Sequence, residues 1–445
     1  MLYALLIILV ILLVSIAIGG PIATTLGFTA SIATLLFLTT GHLSYLGTKM
    51  YDNAISPDNV IVPLFIMMAE FMAKGGIAED IYYVMAKYLR KIKGGLAVAT
   101  TLACTIFAAL CGSSPATAAT IGKVSLEAMK KRGYREDFAI GTVAGGGTLG
   151  IMIPPSITLV MYGILTQTSI LSLLMAGILP GLLLSFLMCA SSIVRAHVNP
   201  ELIGQQKRSR VAAGGAPAEE VVYEQYNTTF LQDLGKAAPA LVLIAVIIYG
   251  MYSGAATPTE CAGLGAIAAF FIVLFKRKLS KKVFFDAMEA TVKSSSMMIL
   301  MLTSALMLTN VIARLGIATA LAQMVTGLQV NRWIVMILLF VLWYFLGCIM
   351  SPTAMVTLTI PFIFEPLMQL GFDPIWLGIV STLCVEVGMI TPPVGNNLFI
   401  LKQTCGLDIG TVIKGAWPQI VVLTLGLVIL CLFPGIATLL PSIMR

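Results

Sequence analysis

The sequence predicts an all-α polytopic membrane protein made of two inverted repeats, each with five spans and one re-entrant helical hairpin. Three observations carry this. Of 445 residues, 58% are hydrophobic and 11% charged, with mean hydropathy +0.98, and the apolar runs repeatedly reach the roughly 20 residues that cross a bilayer. Motifs broken by Gly and Pro occur twice. Gly112-Ser113-Ser114-Pro115 and Gly150-Ile151-Met152-Ile153-Pro154-Pro155-Ser156 return as Gly347, Ser351-Pro352 and Gly388-Met389-Ile390-Thr391-Pro392-Pro393-Val394-Gly395. Finally, basic residues flank one interrupted segment and are sparse around the other, as expected of loops on opposite membrane faces.

The elements follow in order. Residues 2–18 are apolar but lack a basic leading region and a small-residue cleavage site, so they read as a retained span, not a signal peptide. Further spans are expected near 23–40, 58–74, 138–163 and 170–194, completing a first repeat over 1–194. The segment 96–128 is set apart as a hairpin because Gly112 to Pro115 interrupts it midway, and 138–163 is a broken span. Residues 195–236, with Lys207-Arg208-Ser209-Arg210, Gly214-Gly215 and Glu219-Glu220, read as a solvated linker. The second repeat, 237–445, has expected spans near 238–253, 258–275, 294–312, 375–402 and 411–434, with a hairpin at 333–370 and a break within 375–402. Weaker anchors keep nearly the same offset: Pro21 with Pro258, Ala73-x-x-Gly76-Ile77-Ala78 with Ala313-x-x-Gly316-Ile317-Ala318, and Gly177-x-x-Pro180 with Gly415-x-x-Pro418.

An odd number of crossings inserts the second copy upside down. Loop charge agrees. Lys87, Arg90, Lys91 and Lys93 precede the first hairpin and Lys130, Lys131, Arg132 and Arg135 follow it, which puts both its ends on the cytoplasmic side. The second hairpin is flanked only by Arg332 and by Gly371-Phe372-Asp373-Pro374, the pattern of an outer face. In this scheme the linker and the run from Lys276-Arg277-Lys278 to Lys281-Lys282 are inside, and both termini are outside.

Several function classes are excluded or disfavoured. The net charge of +7 comes from residues clustered between spans, which argues for cytoplasmic loops and against nucleic-acid binding. Eight cysteines without a C-x-x-C pair are expected as small core residues, not metal ligands or disulfides. The two histidines, His42 and His197, are expected in loops, and no H-E-x-x-H or G-x-S-x-G accompanies them, so an intramembrane hydrolase lacks its groups. No G-x-x-x-x-G-K-[ST] loop is present for ATP, and no organic cofactor is expected.

Two hairpins entering from opposite faces meet near the bilayer midplane. Their tips and the broken spans leave backbone groups without helical partners, tolerated only where protein, water or ligand satisfies them. Ser, Thr and Asn oxygens with freed carbonyls suit Na⁺, whereas half-helix N-termini offer N–H groups and partial positive charge to an anion. Paired broken segments at matching places mark the substrate site of a secondary transporter. An open channel fits a closed midplane site less well.

The tip Cys111-Gly112-Ser113-Ser114-Pro115-Ala116-Thr117-Ala118-Ala119, the run Leu149 to Ser156, Thr257-Pro258-Thr259-Glu260, and the run Glu386-Val387-Gly388 through Asn396-Asn397-Leu398-Phe399 resemble the large membrane subunit (DctM-like) of tripartite ATP-independent periplasmic (TRAP) transporters. The resemblance covers nearly the whole chain. It implies an elevator carrier driven by the Na⁺ gradient, a small membrane subunit of the Q type as partner, and a periplasmic binding protein delivering an organic carboxylate or sulfonate across the cytoplasmic (inner) membrane. Thr117 and Ser351 stand where family members often carry Asp, which shifts the expected Na⁺ sites toward neutral oxygens. A stand-alone dicarboxylate or inorganic-anion symporter of the same architecture is the alternative.

The expected site residues follow. One Na⁺ is expected near Ser113, Ser114, Gly150 and Pro154, and a second near Ser351, Thr353, Thr391 and Gly395. The anion is expected between the tips, at Ser114, Pro115, Ser156, Ser351, Pro352 and Asn397. Two carboxylates, Glu70 and Glu386, fall inside apolar spans, where an ionisable group is expensive and points to function. Glu386, close to the second break, is a possible ion-coupling group, with helix-to-helix hydrogen bonding as the competing role. Lys123, on the returning arm of the first hairpin, is expected to snorkel outward.

Overall fold

The computed structural model describes residues 2–204, 228–327 and 330–443. The charged middle of the linker, including Lys207-Arg208-Ser209-Arg210, Gly214-Gly215 and Glu219-Glu220, lies outside the described residues. Among the described residues the fold is entirely helical, as a bilayer demands of a chain that does not close into a barrel.

The first half runs α1 (Leu2–Ala17), α2 (Ile22–Phe37), α3 (Thr40–Ala54), α4 (Ile61–Lys74), α5 (Ile77–Leu89), α6 (Gly95–Cys111), α7 (Ser114–Lys131), α8 (Glu136–Thr148), α9 (Ile157–Thr166), α10 (Ile170–Ala176) and α11 (Ile178–Val198). The second half runs α12 (Phe230–Tyr252), α13 (Pro258–Phe275), α14 (Lys281–Arg314), α15 (Ile317–Gly327), α16 (Arg332–Ile349), α17 (Pro352–Gln369), α18 (Pro374–Met389), α19 (Asn396–Cys405), α20 (Ile409–Leu432) and α21 (Gly435–Ile443).

Among the described residues, six segments are long and apolar enough to cross a membrane: Ile170–Val198, Phe230–Tyr252, Pro258–Phe275, Lys281–Arg314, Arg332–Ile349 and Ile409–Leu432. A seventh is the pair Gly41–Ala54 and Pro57–Lys74, bent by 50°. The protein is therefore a multi-pass membrane protein. Several other expected spans, such as those at 2–18 and 23–40, are helices of 16 residues, about 24 Å long at 1.5 Å per residue. The expected span at 294–312 is the apolar part of a continuous 34-residue helix. Apolar side chains cover the outer faces of the long helices, for example Leu338, Val341 and Phe345 on α16 and Val242 and Tyr249 on α12, where lipid tails are as suitable a neighbour as protein.

Two further expectations are corrected. His42 lies in α3 and His197 in the last turn of α11, not in loops. The α3 segment mixes Gly41, His42, Ser44, Lys49 and Asp52 among its apolar residues, so it offers no continuous hydrophobic run. The linker is also shorter than 195–236, because α11 and a 3-10 turn at Pro200–Ile203 occupy its start and α12 begins at Phe230. A capping box at Thr229 and Gln232 fixes that start.

Two packing groups organise the helices. In one, α14 lies against α2 and α4, and α4 against α13. In the other, α8 packs against α6, α7 and α20, and α19 against α7. Small residues permit the closest approaches: a Cβ on Gly141 of α8 would collide with the backbone of Gly415 on α20, and one on Gly415 with the Asp137 carbonyl. On α5, Lys87 forms an ion pair with Asp233 of α12, and Asp80 is bridged by Lys276 at 2.6 Å. These contacts fasten the amphipathic helix that leads into α6 to the second half of the chain.

Candidate functional site

The sequence breaks helices at the places that build the site. The α6–α7 pair turns at Gly112 and Ser113, where Gly112 adopts φ +61 and a Cβ would strike the Pro155 carbonyl oxygen. Only glycine fits both the left-handed backbone and that contact. The α16–α17 pair turns at Met350 and Ser351, with Ser351 Oγ accepting from the Ala354 N–H at 3.4 Å as an N-cap. Each turn sits on the break in its own half. Gly150 lies so near the first tip that a Cβ would be 2.6 Å from the Ser113 carbonyl oxygen. In the second half, the Gly395 N–H donates to the Cys348 carbonyl at 2.9 Å. Both Pro-Pro pairs, Pro154-Pro155 and Pro392-Pro393, contain a cis bond.

The two tips share one cavity of about 150 Å³. Gly112, Ser113, Pro115 and Ala116 line it from the first tip, and Ser351, Pro352 and Thr353 from the second. Ile157 and Thr158 contribute the start of α9, and α4 and α14 add Glu70 and Ser294 among other residues. Three helices thus begin at its wall: α7, α9 and α17. A helix N-terminus presents unpaired N–H groups and about half a positive charge.

The expected site residues separate into two groups. Ser113, Pro115, Ser351, Pro352 and Thr353 line the cavity together. Ser114 and Asn397 are fully buried and meet each other instead, the Asn397 amide Nδ2 donating to Ser114 Oγ at 2.6 Å. Ser114 Oγ in turn donates to Glu386 Oε2 at 2.9 Å. Glu386 Oε1 and Asn397 Oδ1 have no hydrogen-bond partner among the described residues. Ser156 caps α9, donating to the Ile151 carbonyl at 2.5 Å and accepting from the Leu159 N–H at 3.2 Å. The Thr391 hydroxyl donates to the Val387 carbonyl at 2.6 Å. Pro154, Thr391 and Gly395 belong to the breaks and not to the cavity wall.

Glu70, Thr158 and Ser294 on that wall were not among the residues expected to bind solute. Glu70 carried a signal, as a carboxylate in an apolar run, but the cavity it lines is completed by five other helices, α6, α7, α9, α14 and α17. A larger cavity of about 870 Å³, lined by Asp58, Gln167, Thr168, Thr257 and Glu260 among others, contains none of the expected site residues. The Thr257-Pro258-Thr259-Glu260 motif that borders it is a helix cap: Glu260 Oε2 accepts from the Thr257 N–H at 2.8 Å and Thr257 Oγ1 from the Glu260 N–H at 3.2 Å.

Comparison with known proteins agrees with this architecture. Residues 9–436 match the family model described as the tripartite ATP-independent periplasmic transporter, DctM component. The C4-dicarboxylate TRAP transporter large permease protein DctM of Pseudomonas aeruginosa is 33% identical over 423 residues, 94% of each chain. The isethionate TRAP transporter permease protein DctMQ of Oleidesulfovibrio alaskensis is 31% identical over 420 residues, 94% of this chain and 63% of its own length. Among solved structures, the YdaH transporter of Alcanivorax borkumensis shares the fold, with TM-score 0.58 over 89% of this chain and 90% of that one at 16% identity. The chain belongs to the DctM family of tripartite ATP-independent periplasmic transporter components.

Proposed function

We propose that the protein is the large membrane subunit of a sodium-coupled TRAP system importing a small organic anion through the cavity between the two tips. The observation that carries this is the convergence of the α7, α9 and α17 N-termini on one cavity, with no Lys or Arg among the described lining residues. That arrangement suits an anion held by backbone N–H groups and hydroxyls, with nothing to trap it as a permanent ion pair. Relatives named for C4-dicarboxylate and isethionate transport support a carboxylate or sulfonate.

Sodium is the proposed coupling ion, at Ser113, Ser114, Gly150 and Pro154 in the first half and at Ser351, Thr353, Thr391 and Gly395 in the second. The close approach of Gly150 to Ser113 supports the first grouping. The repeated order of hairpin, broken segment and long helix supports two inverted repeats, and an elevator motion of the hairpins and broken segments against the α2, α4, α13 and α14 group. Both termini are then on the outer side of the inner membrane. The proposed partners are a small membrane subunit of the Q type and a periplasmic binding protein. A relative named DctMQ and longer than this chain supports the first.

The test is uptake of labelled succinate or isethionate into vesicles containing the chain with its small subunit, the binding protein supplied outside. Replacing external Na⁺ by choline at a constant proton gradient is expected to abolish uptake. Unchanged uptake in choline defeats sodium coupling, and full uptake without binding protein defeats the tripartite reading in favour of a stand-alone symporter.

A further inference from the structure

The cavity of about 870 Å³ has a wall built from both packing groups. The turn between α3 and α4, the start of α13 and Leu306 of α14 belong to the group around α4 and α14. The turn between α9 and α10 belongs to helices that pack on α17, α18 and α21. In the topology proposed above, α12 rises from the inner linker, so the α12–α13 turn, and this cavity with it, is on the outer side.

The wall carries two exposed carboxylates, Asp58 and Glu260, and no Lys or Arg among the described lining residues. Asp58 has no ion pair or side-chain hydrogen bond among the described residues. Glu260 uses only Oε2 in the cap of α13, which leaves Oε1 as an acceptor. Asn59, on the same wall, is 2% exposed. Its Nδ2 donates to the Asn53 carbonyl, and its buried Oδ1 has no partner among the described residues. An acceptor buried without a donor is costly, and here the missing donor has to come from outside the chain. A free anion entering this space meets two like charges and no cation, so the transported solute is a poor occupant.

We infer that this cavity receives a projecting basic loop, led by a lysine or arginine side chain, of the periplasmic protein that delivers the solute. This rests on the tripartite reading above and adds the surface and the chemistry by which the soluble partner docks. An ammonium or guanidinium head offers donors only, matching Asp58, Glu260 and the unpartnered Asn59 oxygen. A volume of about 870 Å³ is in the range that encloses a ligand of many atoms, far more than a bare ion fills. Opposed charge across such an interface steers the encounter and fixes its register. A loop seated here touches both packing groups, so its grip depends on how they stand relative to one another. By reciprocity, docking biases that placement.

The test uses the full chain with its small subunit in lipid nanodiscs, and the system's periplasmic binding protein, fluorescently labelled, as the probe. Binding to the wild type is expected to weaken as ionic strength rises. Asp58→Lys is expected to weaken binding at least about tenfold and to remove most of that salt dependence. A benzophenone attached at Thr259→Cys or at Leu171→Cys, one from each packing group on the cavity wall, is expected to crosslink to a lysine- or arginine-bearing loop of the binding protein. Unchanged affinity in Asp58→Lys, crosslinks to a loop without basic residues, or crosslinks only between two copies of this chain overturn the inference. So does the absence of crosslinks from either cysteine while the binding protein still binds, and in all these cases the tripartite reading stands. No binding at all to the wild type defeats both. The crosslinks are decisive with Asp58 in place even if Asp58→Lys folds poorly.

Discussion

Ser114 at the first hairpin tip donates a 2.9 Å hydrogen bond to Glu386 in the second broken segment, a direct polar link between the two halves at the site. Asn397 extends it from the far side of the break. Each hairpin tip packs on the break of its own half, but this chain of three buried residues crosses between halves.

Truncating the middle of that chain should expose its coupling. Ser114→Ala is expected to cost about 1–3 kcal/mol of stability by leaving Glu386 and Asn397 without the partner they share. Glu386→Gln, which keeps shape and hydrogen-bonding capacity, is expected to cost less. In a double-mutant cycle read by thermal unfolding, Ser114→Ala with Glu386→Ala should show a coupling of at least about 0.5 kcal/mol. Strict additivity would mean that the contact contributes nothing measurable.

The α8–α20 crossing sets a steric limit. Gly141→Ala forces the Gly415 backbone away and is expected to lower the unfolding temperature by several degrees, from about 1–3 kcal/mol of overpacking. Gly235→Ala in α12, with open space around it, is the control and should be neutral or slightly stabilising. Equal effects of the two substitutions would show that close approach is not what Gly141 provides.

The clamp on α5 has a buried charge at its centre. Asp233 is 1% exposed and accepts from Lys87, from Thr228 and from Tyr88 at 3.0 Å. Lys87→Met removes the compensating cation and is expected to cost about 3–5 kcal/mol, whereas the double variant Lys87→Met with Asp233→Leu should recover much of it. Chemical or thermal unfolding of the purified chain reads the difference. A fully additive double variant would show that the two charges do not depend on each other.

Sidedness can be read directly. Single cysteines replacing Arg90 and Arg132, which flank the α6–α7 pair, should both react with an impermeant thiol reagent only from the cytoplasmic side. One replacing Gly371 should react only from outside. Labelling of the first two from opposite faces would remove the re-entrant hairpin, and with it the inverted repeat.

Much of this architecture was legible because Gly and Pro act locally. The breaks at Gly112, between Thr148 and Ile157, at Met350 and between Met389 and Asn396 fall where the Gly- and Pro-bearing motifs stand, whereas Pro239, Pro361, Pro366 and Pro418 lie inside helices. Which way a tip hydroxyl turns was not legible. Ser113 and Ser114 are adjacent and chemically identical, yet one lines the cavity and the other bonds a carboxylate 272 positions away. That choice is made by the helix that packs behind the tip. Glu70 illustrates the same limit: its position in α4 was visible as an anomaly, but the cavity it lines is formed with residues from α6, α7, α9, α14 and α17. Ser156 had the right neighbours in sequence and a local use, closing the first turn of α9.

The unbroken α14 has a consequence for how far a solute must travel. At 34 residues it measures about 51 Å, well over the roughly 30 Å of a hydrocarbon layer. Lys281, Lys282, Asp286, Glu289 and Lys293 occupy its first four turns, and after Lys293 no charged residue follows until Arg314. Ser294, the next residue, opens the uncharged stretch of this helix and is also on the cavity wall. The cavity wall on α14 thus starts within one helical turn, about 5 Å, of the last charged side chain before Arg314. A solute leaving the cavity along α14 toward Lys293 would pass charged side chains within a turn.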